Sequence, residues 1–441
     1  MAKKKLTLEE KLEEAIVKDA PYEVPGNWVS ASFGSIMSIE GGTQPPKSQF
    51  LFEPTDGYIR LYQIRDFSSE NFHTYVKDNK KLRIMSEEDI MIARYGASIG
   101  KIFRGKKGAY NVALAKLIYP KELYNGNFLY WFLKSDLFQN NLGDMSRTAV
   151  AGFNKNDLKN FIIPLPPLKE QQRIVDKIES LFEKLDKAKE LIEEARDDFE
   201  KRKSAILEKA FRGELTKVWR KENNINREWK REKLKDITKV TSGGTPSRKH
   251  PEYFEGKIPW IKTGEILWNR IYDSEEHITE EAIVNSSAKL IPEGAVLVAM
   301  YGQGLTRGRA SILAKEACTN QAVCALIPSD AVLNSYLYYY FMSNYWRFRQ
   351  VAKGGNQENL SGKVIGAFEI DIPSLEEQKE IVRILDKLLE EESKIEELTT
   401  LEEQIELIKK SILAKAFRGQ LGTNSEDDES AIELLKEILN K

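Results

Sequence analysis

This chain carries one plan twice. Ala205-Ile206-Leu207-Glu208-Lys209-Ala210-Phe211-Arg212-Gly213 recurs 206 residues later as Ser411-Ile412-Leu413-Ala414-Lys415-Ala416-Phe417-Arg418-Gly419. Pro167-Leu168-Lys169-Glu170-Gln171 returns as Ser374-Leu375-Glu376-Glu377-Gln378, and Gly41-Gly42-Thr43-Gln44-Pro45 as Gly243-Gly244-Thr245-Pro246. Arg94-Tyr95-Gly96 answers Met300-Tyr301-Gly302, and Asn111 answers Asn320. The offsets stay between 202 and 209 and the matches keep their order, so the insertions lie in loops between them. A chain like this must fold as two related units.

Each copy runs through the same signals. About 150 residues of mixed pattern come first. Short apolar runs such as Ile90-Met91-Ile92-Ala93 and Ala295-Val296-Leu297-Val298-Ala299 read as strands, broken by Gly, Pro and Asn. Aromatic-rich stretches near 127–138 and 335–348 read as helices. A proline stop, Pro164-Leu165-Pro166-Pro167 or Pro373, then leads into a long helix that the Phe-Arg-Gly turn closes.

The long helices carry a heptad stripe. Ile174, Ile178, Leu181, Leu185, Ala188, Ile192, Ala195 and Phe199 step by four and three alternately. The second copy follows with Ile381, Leu385, Leu388, Ile395, Leu398, Leu401, Ile405, Ile408 and Ile412, with Glu392 on a seam position. Such a stripe must face something, and the other copy is the expected partner. Two repeats related by an approximate two-fold would pack these helices antiparallel and hold their globular parts at opposite ends. From Ile174 to Ile206 the helix spans ~48 Å at 1.5 Å per residue. That is a little more than one turn of B-DNA, ~34–36 Å. The expected fold class is therefore α+β: two similar mixed α/β domains separated by two long antiparallel coiled-coil helices. Val175, Phe182, Leu191, Val382, Leu389 and Leu407 lie off the seam and leave apolar surface for a partner helix.

Charge is balanced in total, 67 Lys/Arg against 68 Asp/Glu, but not in distribution. The stretches 169–203, 376–410 and 422–441 carry −1, −6 and −4, which leaves +10 on the rest. Acid sits on the helices and tail while the globular parts are basic, as suits domains that meet a polyanion. Two cysteines, Cys318 and Cys324, and three histidines give neither zinc-ligand spacing nor a disulfide framework, so buried free thiols are expected. No leader or membrane span is read from the polar start Met1-Ala2-Lys3-Lys4-Lys5, and a cytoplasmic protein is expected.

Catalytic motifs are missing. Gly96–Lys101 has three residues between its glycines where a phosphate-binding P-loop has four, and Ile102 stands where Ser or Thr should bind magnesium. Pro166-Pro167 lies between leucines, so it is not the Asn/Asp-Pro-Pro-aromatic site of an amino-methyltransferase. Tyr95, Tyr301 and Trp260 are read as packing residues rather than base-stacking ones.

The Gly-Gly-Thr loop, the strand Ile258-Pro259-Trp260-Ile261, the Tyr-Gly turn and Thr319-Asn320-Gln321-Ala322 together resemble a target recognition domain. With the Pro-x-Leu-x-Glu-Gln helix start and Ala-Phe-Arg-Gly, nearly the whole chain is similar to specificity subunits of type I restriction–modification systems. The first copy lacks an obvious counterpart of Pro259-Trp260-Ile261, with Ile59-Arg60-Leu61 as a substitute, and Arg307 stands roughly where the first copy has Lys101. The resemblance implies an N-terminal helix over 1–20, a first recognition domain over 21–167 and a first spacer helix over 168–213. It further implies a second domain over 214–373, a second helix over 374–421, and an acidic linker with a short helix over 422–441. Ala431–Leu439 of that tail is expected to cap the N-terminal helix.

The implied function is non-catalytic recognition of double-stranded DNA at a bipartite, asymmetric site. Two methyltransferase subunits and restriction (endonuclease/translocase) subunits are the implied partners. S-adenosylmethionine, ATP and magnesium are expected on those partners, with no cofactor or metal in this chain. Candidate DNA contacts are Lys47, Lys101, Arg104, Lys106, Lys107, Arg248, Lys249, Arg307 and Arg309, reading phosphates or guanine edges. The loops that present them are Gly41, Gly42, Thr43, Tyr95 and Gly96, and Gly243, Gly244, Thr245, Tyr301 and Gly302. Two alternatives stay open at this point: a free-standing coiled-coil DNA-binding regulator, and a methyltransferase in its own right.

Overall fold

The computed structural model describes residues 6–440 except 70, 147–151, 227, 303–304, 352–359, 394–395 and 426. Its contacts divide the chain into two compact units, Met1–Leu191 with Thr400–Lys441, and Ile192–Thr399. Both divisions fall inside the long helical stretches, so each unit holds one head together with helix from both copies.

In the first unit, four antiparallel strands run in the order Ser38–Gly41, Leu114–Ile118, Ile90–Ala93, Ile102–Arg104. Ile90–Ala93 is apolar throughout and buried throughout, as a central strand covered on both faces should be. A second sheet has the order Tyr75–Lys77, Tyr58–Tyr62, Gly108–Tyr110, Ile84–Met85. A two-stranded ribbon, Val29–Ser32 with Ile162–Leu165, joins the ends of the head.

The second unit repeats this wiring. Val240–Ser242, Val323–Leu326, Val296–Ala299 and Ala310–Leu313 make the antiparallel sheet, with Arg270–Ile271 added in parallel at its edge. His277–Ile278, Ile258–Ile261 and Cys318–Thr319 form the second sheet, and Lys230–Lys233 with Glu369–Ile372 the ribbon. The missing counterpart of Pro259-Trp260-Ile261 now has a register. Leu61 pairs with Ala109 as Trp260 pairs with Cys318, both in parallel, so the equivalent triplet is Arg60-Leu61-Tyr62, one residue on from the expected substitute.

The aromatic segments are each two helices rather than one. Gly126–Lys134 gives way to Asp136–Ser146, and Asn334–Ser343 to Tyr345–Val351. The first break is at Ser135, which is extended and turns its hydroxyl back to the Phe132 carbonyl at 2.6 Å.

Leu168–Phe211 is one helix of 44 residues. Pro166 and Pro167 precede it, where their missing N–H groups cost nothing. It ends in a Schellman turn: Gly213, at φ +73°, donates to Ala210, and Glu214 to Lys209 at 2.9 Å. Gly419, at φ +69°, and Gln420 repeat the turn after the helix Glu396–Ala416. The glycine of Phe-Arg-Gly is thus fixed by backbone conformation.

Helix packing follows the heptad stripe only in part. In the first unit Ile174, Ile178 and Val175 share a core with Leu413, Ala416 and Phe417, and Lys409 pairs with Asp186 while Lys189 reaches Glu406 at 4.0 Å. Those pairings make the two stretches antiparallel. In the second unit Leu207 and Ala210 share a core with Ile381 and Leu385. Leu181, Leu185, Ile192, Phe199, Leu388 and Ile412 are half-buried, and Ala195 is exposed. Leu401 and Ile408 depart from the expected seam, at 41% and 45% exposure. The stripe rotates there, because 3.6 residues per turn drifts away from a strict heptad, and Lys409 takes the inward place between buried Ile405 and Leu413. Ile395 lies outside the described residues, as do the side chains of Glu392 and Leu398. Of the off-seam positions, Val175 is core and Phe182 meets Trp131 edge-on at 5.0 Å. Val382 and Leu389 are half-buried, whereas Leu191 and Leu407 stay exposed.

Each unit is closed by a buried carboxylate at the head of its long helix. Glu170 accepts from Trp28 Nε1 at 2.7 Å, Asn424 Nδ2 at 2.9 Å and Thr423 Oγ1 at 3.3 Å. Glu377 accepts from Trp229 Nε1 at 3.0 Å and Thr216 Oγ1 at 2.6 Å, and pairs with the Arg220 guanidinium. The neighbouring Gln171 and Gln378 are fully buried, tied to backbone at Leu123, Pro166 and Asn125, and at Pro373 and Leu333. In both units the segment after Phe-Arg-Gly of one copy fastens onto the head of the other. The tail adds a further contact: the helix Ala431–Asn440 lies against Leu8–Ala15, with Lys11 Nζ donating to the Leu439 carbonyl at 2.5 Å.

Candidate nucleic-acid interface

The Gly-Gly-Thr loops are built by close backbone approach. A Cβ on Gly42 would stand 2.2 Å from the Asn111 carbonyl oxygen, and one on Gly243 would stand 2.0 Å from that of Thr319. Thr43 N–H donates to the Tyr110 carbonyl at 3.1 Å, and Gly244 N–H to Thr319 at 2.9 Å. Gly41 pairs with Ala115 as Ser242 pairs with Cys324. The expected match of Gly41-Gly42-Thr43 with Gly243-Gly244-Thr245 is therefore corrected by one residue, and Gly42 is the counterpart of Gly243. Trp260 is buried and donates its indole N–H to the Gly244 carbonyl at 3.0 Å. Thr245 hydrogen-bonds Gln321.

Asn111 and Asn320 do the same work in each head. The Asn111 N–H donates to Tyr62 and that of Asn320 to Ile261, both at 3.0 Å. Their side-chain oxygens accept from Ala113 and Ala322 at 3.2 and 3.0 Å, which makes each an Asx turn that ends one strand and starts the next.

The Tyr-Gly turns cap the adjacent hairpins. Gly96 and Gly100 hold φ of +71° and +80°, and Gly302 and Gly308 +137° and +88°. Gly100 N–H returns to Ala93, and Gly308 N–H to Ala299; Ala93 N–H bonds Lys101, and Ala299 N–H bonds Arg309. Arg309 is therefore the counterpart of Lys101, and the second turn is two residues longer. The rough equivalence with Arg307 is corrected accordingly. Tyr95 and Tyr301 are 41% and 38% exposed at these turns, whereas Trp260 is buried; Arg94 lies 5.2 Å over the Tyr95 ring. Arg94, which opens the repeated Tyr-Gly motif, and Arg349, which the sequence did not single out, brace the turns. Arg94 Nε donates to the Phe153 carbonyl at 2.9 Å, and Arg349 Nη1 to that of Arg307 at 2.8 Å.

The basic candidates fall into two sets. Lys47, Lys101, Lys107 and Lys249 are exposed and have no ion pair among the described residues. The others are engaged or half-buried. Arg104 lies 4.0 Å over the Tyr130 ring and bonds Asn127. Lys106 donates to the Asp66 carbonyl at 3.2 Å. Arg248 pairs with Glu276 at 2.6 Å and lies 3.9 Å over the Phe254 ring. Arg307 and Arg309 are half-buried.

The heads diverge away from this frame. The first exposes Phe52 at 70% and Phe72, on whose ring Arg65 rests at 4.7 Å. The second exposes Tyr272 at 68%, Leu267 and Trp346. Phe52, Phe72 and Tyr272 lie in loops, where no periodicity marks them, which is why the sequence did not reveal them. Among the described residues no three His, Cys, Asp or Glu side chains gather as a metal site. Both cysteines are free and buried, and burial pushes their thiols up, to about 11 for Cys318 and about 12 for Cys324. No described helix is long and apolar enough to cross a membrane.

The family model for the type I restriction modification DNA specificity domain matches this chain twice, over residues 25–196 and 226–407. The MjaVIII specificity subunit of Methanocaldococcus jannaschii is 25% identical over 420 residues, 90% of this chain and 94% of that one. The EcoKI specificity subunit of Escherichia coli is 26% identical over 427 residues, 90% of each. Among solved structures, a chain from a study of type I R-M complex assembly and conformational transition shares the fold at TM-score 0.72. It is 21% identical and covers 91% of this chain and all of its own. The HsdS subunit from Thermoanaerobacter tengcongensis does so at 0.58, with 20% identity over 92% of this chain and all of that one. With two matched domains on one duplicated frame, the chain belongs to the DNA specificity subunits of type I restriction enzymes, which recognise DNA and do not catalyse.

Proposed function

We propose that each head reads one half of a bipartite, asymmetric DNA site, and that the long helices set the gap between the halves. The observation behind this reading is the pairing of a shared frame with unlike surfaces. The same strand register, Asx turn and glycine loop recur in both heads, while Phe52, Phe72 and Arg65 have no likeness in Tyr272, Leu267 and Trp346. A shared frame would set both heads on the backbone in the same way, and unlike surfaces would then meet different bases. Lys47, Lys101, Lys107 and Lys249 serve as phosphate contacts, since their ammonium groups are exposed and uncommitted among the described residues.

In this reading the exposed helix positions Leu191 and Leu407 dock two methyltransferase subunits, and restriction subunits join that complex. S-adenosylmethionine, ATP and magnesium belong to those partners. Methylome sequencing with and without the gene, in cells that express the partner methyltransferase, tests the proposal. Deletion should erase one bipartite, asymmetric methylated motif. An unchanged methylome overturns it, and loss of a continuous motif overturns the two-half reading.

A further inference from the structure

The two heads differ in what covers the outer edge of the joining ribbon. In the first unit, Val29–Ser32 pairs on one side with Ile162–Leu165. On its other side Ile16 bridges Ala31, and Val17 N–H donates to the Ser30 carbonyl at 2.8 Å. The Ser35 hydroxyl donates to the Glu14 carbonyl at 3.0 Å. Helix Leu8–Ala15 and the two residues after it therefore cover this edge, and Val29, Ser30 and Ala31 are buried.

In the second unit the equivalent strand is Lys230–Lys233, paired with Glu369–Ile372 in the same sense. No described residue pairs with its other edge, and three of its four residues are exposed. Trp229, Ile237 and Ile372 are half-buried, although their counterparts Trp28, Ile36 and Leu165 are core. They line an open cleft of about 650 Å³ beside the strand. Glu228, Glu232 and Asp236 line it too, with no ion pair among the described residues, and Lys230 is the one lining cation among them.

We propose that this cleft is a docking site for a basic amphipathic helix of a partner protein, followed by a short extended stretch that adds to the free edge of Lys230–Lys233. The covered edge of the first head supplies the shape of the occupant, and an exposed strand edge supplies the backbone groups that hold it. The carboxylates supply its charge. A second copy of this chain's own N-terminal helix is a poor occupant, because Glu9, Glu10, Glu13 and Glu14 against Lys11 would face the same sign.

Fluorescence anisotropy on the full chain tests this with two labelled peptides. One has the sequence of residues 6–18; the other carries Glu9→Lys, Glu10→Lys, Glu13→Lys and Glu14→Lys. The lysine peptide should bind, at least tenfold more tightly than the acidic one. Glu228→Lys with Asp236→Lys, both at exposed positions, should weaken it at least tenfold while the far-UV circular dichroism stays unchanged. Failure of the lysine peptide to bind, or equal binding to the doubly substituted chain, overturns the proposal. Preference for the acidic peptide also overturns it and assigns the cleft to a second copy.

Discussion

The two closing knots invite comparison, because they do one job with different chemistry. Glu377 is met by a cation, Arg220, and both side chains are almost fully buried. Glu170 is met by neutral donors from Trp28, Thr423 and Asn424, with Arg173 nearby but bonded to Asp428. A carboxylate at a helix N-terminus already gains from the helix dipole and free N–H groups. The fold therefore tolerates either solution, and the difference lies in what happens when a partner is removed. A buried ion pair stripped of one member leaves an unpaired charge, whereas a neutral donor set loses one bond of several.

The largest effect should come from breaking the charged knot. Arg220→Met should cost about 3–5 kcal/mol in denaturant unfolding, and Glu377→Gln in the same chain should recover much of that loss. The aromatic seal of each closing turn makes a second contrast. Phe417 is fully buried against Phe128 and Phe132 at 5.2 and 5.3 Å, so Phe417→Ala should cost about 3–5 kcal/mol. Phe211, half-buried against Tyr336 at 5.0 Å, should cost clearly less, and equal losses would erase the contrast. Asn424→Ala removes one donor from the neutral knot and should cost about 1–3 kcal/mol.

The smallest effect concerns the thiols, which the second head alone carries. Cys318 and Cys324 occupy the strand positions of Ala109 and Ala115, all four buried. Their folded pKa lies above the ordinary value of 9, so the stability they contribute is complete below pH 9 and is lost as pH rises towards 11 and 12. Cys318→Ala with Cys324→Ala should therefore flatten the alkaline loss of stability. Thiol reagents at pH 8 should label these residues only on unfolding.

The frame was legible because it is repeated. Glycines that admit a carbonyl at 2 Å, Phe-Arg-Gly turns and Glu-Gln helix starts each leave the same residues in both copies. The triplet around Leu61 was displaced by one residue, since burial at that strand end accepts leucine or tryptophan and only pairing with Ala109 fixes the register. Arg309 was missed as the partner of Lys101 because a two-residue insertion in the turn hides behind similar residues. The helix seam misled at Leu401 and Ile408, where drift of the helix period overrides a stripe that looks continuous in sequence. Arg104 and Arg248 look like free cations in sequence and are stacked on rings in the fold, which no local pattern could reveal.

In the proposed function one frame carries two independent reading surfaces. Its most direct test replaces residues 49–67 of the first head with the same stretch from a relative of different specificity and sequences the resulting methylome. One half of the motif should change while the other half and the gap between them stay as they were. Change in both halves, or in neither with methylation intact, would contradict it.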